Sequence, residues 1–263
     1  MIHQEKTIRH QGAARALLIG PLALFIGSCT PFCGRTALVS TTHGDTTPSV
    51  TVSGATPLTA EQKAAGWRSL FDGTSTSAWR GFRSQTFPAG WRIVDGVLTK
   101  TGEVSDIVTK DEFENFELAL DWNLSPGGNS GIFYRGTEEY DTIYWSAPEY
   151  QLLDDAGHED GKNRLTSAGA AYALYPSPAG IVKPGGQWNS TMIVVNGNTV
   201  QHWLNGQRLL EYELGSPDWE AKVKASKFAP YPNYGRAKRG HIAIQGDHTG
   251  TLSIRNVRIR VLK

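Results

Sequence analysis

Glu149 and Gln151 stand two positions apart in the run Glu149-Tyr150-Gln151-Leu152-Leu153. Successive side chains of a strand point to opposite faces, so a strand here puts the carboxylate and the amide on one face and Tyr150 and Leu152 on the other. Upstream, the run from Gly127 through Asn129 to Arg135 can supply a second amide and a guanidinium from an adjoining loop and strand. A carboxylate, two carboxamides and an arginine within one local meander can grip a hydroxylated ligand, and the carboxylate can also move a proton. Each residue has a structural alternative. Glu149 can be an exposed strand glutamate, Arg135 can pair with Glu149 or point to water, and Asn129 can serve a Gly-rich turn by accepting a positive φ.

Histidine adds proton-transfer capacity near neutral pH. His248 follows Gln245-Gly246-Asp247 in a loop between two closing strands, where it is either a site residue or a solvated one. His202 shares parity with Val200 and Leu204 on a strand and reads as a buried, hydrogen-bonded structural residue. Asp154 ends the Glu149 strand on the opposite parity, so it either orients a loop or reaches a ligand. His158, Glu159, Asp160 and His248 have ligating atoms, but no compact His or Cys spacing of a known metal site accompanies them. A divalent metal therefore stays possible and unassigned. No Gly-rich phosphate loop opens a helix, which argues against a nucleotide or nicotinamide cofactor.

The elements that must carry these residues are strands. Phe116, Leu118, Leu120 and Trp122 alternate with polar or small neighbours, the period of a half-buried strand. Asp95-Gly96, Asn196-Gly197 and Asn205-Gly206 mark hairpin turns. In the last strand the apolar parity changes between Ile254 and Val257, which predicts a β-bulge at Arg255 and Asn256. One helix is expected from Ser216 to about Lys227, with Ser216 as its cap, Pro217 in its first turn and Asp218 beside its positive end. Thr59 to Ala65 reads as a helical turn or two. About a dozen strands and one short helix predict an all-β antiparallel sandwich.

The chain has 263 residues, with 26 basic against 25 acidic side chains. That balance offers no broad field for nucleic acid or an anionic bilayer. Lys6, Arg9 and Arg15 precede an apolar run from Ala16 to Ile26, too short for the roughly 20 residues of a membrane span and patterned as a signal peptide. The run ends Gly27-Ser28-Cys29, like a bacterial lipobox, so residues 1–28 are expected to be removed and Cys29 lipidated. An ordinary signal peptide with Cys29 paired to Cys33 is the alternative. The expected location is the periplasm or an outer-membrane anchor. Residues 29–65 are rich in Thr, Ser, Gly and Pro and read as a tether before a domain spanning 66–263.

Several strings, taken in order, resemble one family: Leu70-Phe71-Asp72-Gly73, Phe116-Glu117-Leu118, Gly127-Gly128-Asn129-Ser130-Gly131-Ile132, Glu149-Tyr150-Gln151-Leu152-Leu153-Asp154, His202-Trp203-Leu204-Asn205-Gly206, Ser226-Lys227-Phe228 and Arg255-Asn256-Val257. Together they look like the 3-keto-disaccharide hydrolase family, described also as 3-keto-glucoside 1,2-lyase with 3-keto-2-hydroxyglucal hydratase activity. The resemblance implies a concanavalin-like jelly roll and chemistry on glycosides already oxidised at C3. In such a sugar the ketone acidifies the C2 proton, a base removes it, the C1 oxygen leaves, and water adds back to the enone.

On that resemblance Glu149, His248 and Arg135 are the expected catalytic residues. Asn129, Gln151, Asp154, His158, Lys227 and Gln245 are the expected substrate contacts, with Tyr172 a weaker suggestion. A separate sugar C3 dehydrogenase would supply the substrate. A carbohydrate-binding jelly roll without chemistry, using aromatic platforms such as Trp145, is the competing reading. A glucanase acting on unoxidised glucan ranks behind both, because the chain lacks a Glu-x-Asp-x-x-Glu strand.

Overall fold

A computed structural model of the chain describes residues 54–263. The expected signal peptide, Cys29, Cys33 and most of the expected tether lie outside the described residues. From Gly54 the backbone is already joined to the domain. Ala55 N–H donates to Gly96 O at 3.2 Å, and Thr56 N–H donates to the Asn256 side chain at 2.5 Å. Helix α1 (Ala60–Ala64) follows, capped by Thr59 in a reciprocal capping box with Gln62.

Thirteen strands build the body: β1 (Trp67–Phe71), β2 (Trp79–Gly81), β3 (Trp91–Val94), β4 (Val97–Thr101), β5 (Ile107–Thr109), β6 (Phe116–Leu124), β7 (Asn129–Gly136), β8 (Glu149–Leu153), β9 (Asn189–Asn196), β10 (Thr199–Leu204), β11 (Gln207–Glu213), β12 (His241–Ile244) and β13 (Thr251–Val261). One sheet has eight strands in the order β11-β10-β9-β6-β13-β4-β3, with β1 also on β13. The other has five, in the order β2-β5-β12-β7-β8. All pairs are antiparallel, and the result is the expected jelly-roll sandwich. Between the sheets lie Phe116, Leu118, Leu120, Trp122, Ile193, Val195, Ile254 and Ile259 from one side and Ile132, Tyr134, Tyr150, Leu152, Ile242 and Ile244 from the other.

Local signals placed the turns with one exception. Asp95-Gly96 and Asn205-Gly206 have positive φ at both positions and connect β3 to β4 and β10 to β11. In the third hairpin Asn196 pairs with Thr199, so the two-residue loop is Gly197-Asn198, one position beyond the expected Asn196-Gly197. The bulge in β13 falls where the parity changes: Arg255 faces Asp121 while Arg258 faces Ala119, with Asn256 at φ 55°. There β13 passes from pairing with β4 to pairing with β1.

Helix α2 (Pro217–Lys224) begins as expected, with Ser216 accepting from Trp219 N–H at 3.2 Å and Pro217 in the first turn. It ends three residues before Lys227. Ser226 closes it by donating to Val223 O at 2.8 Å and accepting Phe228 N–H at 3.1 Å, which leaves Lys227 on a turn instead of a helix face. Trp219, fully buried, fixes the helix by stacking between Tyr212 and Tyr234, and Tyr234 stacks in turn on Phe228. The position of Lys227 thus follows from an aromatic stack that its own sequence neighbours do not reveal.

Candidate active site

Three strands of the five-stranded sheet make the floor of a cavity of about 260 Å³. Gly131 on β7 lies beside Gln151 on β8, and on its other side Gln245 N–H donates to Gly131 O at 2.9 Å. The floor row therefore reads Gln245, Gly131, Gln151 across the sheet, on the face turned away from the core. A glycine in the middle of that row leaves a hollow, and the Glu149 side chain lies across it. A Cβ on residue 131 would stand 2.3 Å from Glu149 Oε1 and 2.9 Å from its Cδ.

Farther along the same face Phe133, Ala243 and Val108 are apolar, and the loop after β7 covers them with Ile143 and Ala147, joined by Phe82 and Tyr144. Tyr144 also lines the cavity, so the polar half of the groove is closed at this end. A volume near the lower end of typical ligand pockets, about 300 to 1,000 Å³, suits something of one sugar ring in size.

The walls come from distant segments. The free edge of β8 is covered by the stretch around Ala170–Tyr175: Gln151 N–H donates to Ala170 O at 3.2 Å, and Tyr172 N–H donates to Glu149 O at 3.1 Å. His202 holds this stretch from below, with Nδ1–H donating to Gly169 O and Nε2 accepting from Tyr134 Oη, both at 2.9 Å. It is fully buried, and burial pushes its imidazole down to about 4, so it is the structural histidine expected of its strand position.

Lys227 reaches in from the turn after α2, with Nζ 4.3 Å from the centre of the Tyr172 ring and 6.0 Å from that of Trp145. Trp145 has one face stacked on Tyr231 at 4.1 Å, which turns the expected sugar platform into part of a wall. On the β12 side the loop after Gln245 brings Asp247 and His248 to the cavity. Lys100, buried in β4, pins that loop by donating to His248 O and, at 3.2 Å, to Gly102 O. Asp106 anchors it again by accepting Gly246 N–H at 2.7 Å.

The cavity is strongly polarised. Glu149 is 6 % exposed, and among the described residues no donor is hydrogen-bonded to its carboxylate. Burial raises it to about 8; Lys227 pulls it down, and Asp247, Asp106 and Asp160 push it up. Lys227 is lowered by burial against the pull of Glu149 and Asp160. No carboxylate among the described residues closes an ion pair with it. His248 is lowered by burial first, with Asp247 pulling it back up, Lys100 and His158 lowering it further and Asp160 raising it. Burial also lifts Tyr172 to about 12 and Asp106 to about 6.

The amide oxygens of Gln151 and Gln245 are buried without a hydrogen-bond partner, although Gln151 Nε2 donates to Asn129 Oδ1 at 3.3 Å. Two orphaned acceptors in a roomy polar hollow are places for ligand hydroxyls to donate.

Six of the nine residues expected at the site meet here: Glu149, His248, Asn129, Gln151, Lys227 and Gln245. Three do not line it. Arg135 was expected beside Glu149, but β7 bulges at Tyr134 and Arg135, where two steps of β12 face three of β7 and Arg135 takes φ 53°. The bulge turns its guanidinium away to donate to Glu114 O, Asn115 Oδ1 and Gly197 O, so Arg135 fastens loops and does not line the cavity. Asp154 accepts Gly127 N–H at 2.8 Å and orders the loop before β7. His158 caps a short 3₁₀ turn (Glu159–Lys162) by accepting Asp160 N–H at 3.1 Å; it sets Asp160, which does line the cavity.

Tyr144, Asp160 and Asp247 are the wall residues that sequence reasoning did not assign to substrate. Asp247, next to His248, and Asp160, among the ligating residues noted in the sequence, carried a local signal, whereas Tyr144 carried none. Among the described residues no three of His, Cys, Asp and Glu gather to hold a metal, so the four ligating residues noted in the sequence do not form one centre.

Comparison with known proteins agrees with this architecture. The family described as 3-keto-alpha-glucoside-1,2-lyase-like domain matches residues 66–260. A relative from Bacteroides thetaiotaomicron named 3-keto-disaccharide hydrolase is 34 % identical over 231 residues, covering 76 % of this chain and 79 % of that protein. A crystal structure from Parabacteroides distasonis, described as a candidate glycosyl hydrolase, superposes with a TM-score of 0.74 at 35 % identity, over 80 % of this chain and all of that one. A second one from the same organism gives 0.58 at 29 %, over 74 % and 99 %.

Proposed function

The chain belongs to the 3-keto-alpha-glucoside-1,2-lyase-like family, and from that premise we propose that it cleaves the glycosidic bond of 3-keto-glycosides by proton abstraction at C2, departure of the C1 oxygen and hydration of the enone. The observation that carries this reading is the Glu149 carboxyl: buried at the base of a ring-sized hollow, without a hydrogen-bonding donor among the described residues, and raised to about 8. A purely sugar-binding site gains nothing from such a group, since an unpaired buried carboxyl costs stability and offers ligand hydroxyls no more than a glutamine would. The binding-module alternative is therefore not favoured.

In this reading Glu149 serves C2, and Lys227, without an ion pair among the described residues, faces the C3 carbonyl from the β8 side. Gln151, Gln245 and Asn129 hold ring hydroxyls from the floor. His248, standing on the β12 side with Asp247, can accept a proton at one nitrogen and release one at the other, which suits the glycosidic oxygen and the incoming water. The reading includes export by residues 1–28, lipidation of Cys29, and a separate dehydrogenase that makes the ketone.

The test is incubation of the purified protein with 3-keto-trehalose, 3-keto-sucrose and the parent disaccharides, following enone absorbance and released sugar. Release from a keto sugar alone, lost in Glu149→Gln by about 10² to 10⁴-fold with binding retained, is the expected result. Release at equal rates from unoxidised disaccharides, or full activity in Glu149→Gln, refutes it.

A further inference from the structure

We propose that Lys227 is a nucleophile in this site and holds the substrate ketone as a covalent iminium during the elimination. The inference rests on the lyase reading above and adds to it the way in which the C3 carbonyl is activated. Its basis is the placement of the amine. Lysines at a protein surface normally trail into water or pair with a carboxylate. Lys227 is an exposed residue, yet it lays Nζ over the Tyr172 ring at 4.3 Å, with Tyr144 at 5.8 Å and Phe228 at 5.3 Å. It lines the same cavity as Glu149 without an ion pair to it. The ring faces hold the amine in place, and the loss of part of its water is one of the ways proteins make this side chain nucleophilic.

Glu149 fits the same scheme. The protonated Glu149 carboxyl can expel water from a carbinolamine, and the carboxylate that this leaves is the base the C2 step needs. Loss of water lowers the Lys227 amine while Glu149 pulls it back up, so the two groups act on each other across the cavity.

The steps balance without any further reagent. The Lys227 amine adds to C3, its proton passing to the former carbonyl oxygen. Glu149 protonates that hydroxyl, which leaves as water, and the iminium forms. The Glu149 carboxylate then takes the C2 proton, the electron pair moving toward nitrogen. The C1–O bond breaks as the enamine returns its electrons, and the departing oxygen takes the proton that Glu149 had removed. Water next adds its hydroxyl to C1 and its proton to C2. A second water hydrolyses the iminium, freeing the amine and the 3-keto product and restoring the proton on Glu149.

Borohydride chemistry reads this directly. The full-length protein is incubated with 3-keto-trehalose in sodium cyanoborohydride, which reduces iminium ions in preference to ketones. Intact mass and peptide mapping then locate any adduct, while sugar release is followed in parallel without reductant. A single adduct on Lys227, dependent on the keto sugar and absent with trehalose, is expected. Lys227→Arg keeps the positive charge but cannot form an iminium, and it should lose both the adduct and turnover while retaining the parent Tm. Turnover by the parent protein with no adduct on Lys227, or turnover retained by Lys227→Arg, overturns the covalent step and leaves the lyase reading standing. Absence of turnover on every keto sugar overturns the reading beneath it as well.

Discussion

Replacing Gly131 by alanine tests the position of Glu149 without touching Glu149. The added methyl would lie 2.3 Å from Oε1, 2.9 Å from Cδ and 3.0 Å from Cγ. Comfortable carbon contacts begin at about 3.5 Å, so the carboxyl must retreat by roughly 1 Å. A misplacement of that size in reacting groups costs about 10²-fold, or about 2.7 kcal/mol of barrier. The backbone itself tolerates the change, because Gly131 is absent from the positive-φ positions. Overpacking of this kind costs about 1 to 3 kcal/mol, and a domain of this size loses about 2 to 4 °C of Tm for each of them.

The assay is kcat/KM on a 3-keto disaccharide well below the transition, beside thermal melts. A matched control is Ile193→Val, in the fully buried core and expected to cost about 0.5 to 1.5 kcal/mol of stability with activity intact. The reasoning fails if Gly131→Ala keeps kcat/KM within a few-fold of the parent, or if Ile193→Val loses as much.

Two further outcomes follow from the same geometry. Glu149 holds its proton to about pH 8 in the folded chain and releases it near 4.5 when free, so the folded state binds the extra proton in that window and stability falls as pH rises through it. The Tm of Glu149→Gln minus that of the parent should therefore grow between those two pH values, and a flat difference across the series contradicts the assignment. Arg135→Met should leave the carbonyls of Glu114 and Gly197 without their donor, at about 1 to 3 kcal/mol each. A lowered Tm with kcat nearly unchanged is expected, and a collapse of kcat at constant Tm would return Arg135 to the chemistry.

How much of this was legible in the chain can be traced residue by residue. The period of two in β6, the Asp95-Gly96 and Asn205-Gly206 turns, the Ser216-Pro217 helix start and the phase change before Val257 are all local features, decided by neighbours a few positions away. They sufficed for the sandwich and for the shared face of Glu149 and Gln151. The same parity argument misplaced Arg135, because it assumed an unbroken strand. The bulge that turns the residue away is set by the register of β7 against β12, more than a hundred positions later.

Lys227, Tyr172 and Tyr144 could not be gathered into one wall from sequence spacing, since each arrives on a different connection: the turn after α2, the cover of the β8 edge, and the loop over Phe133. The acidity of Glu149 was beyond reach for a more general reason. A residue's type states which proton it can carry, whereas the pH at which it lets go depends on how much water the folded surroundings leave around it and which charges they bring near.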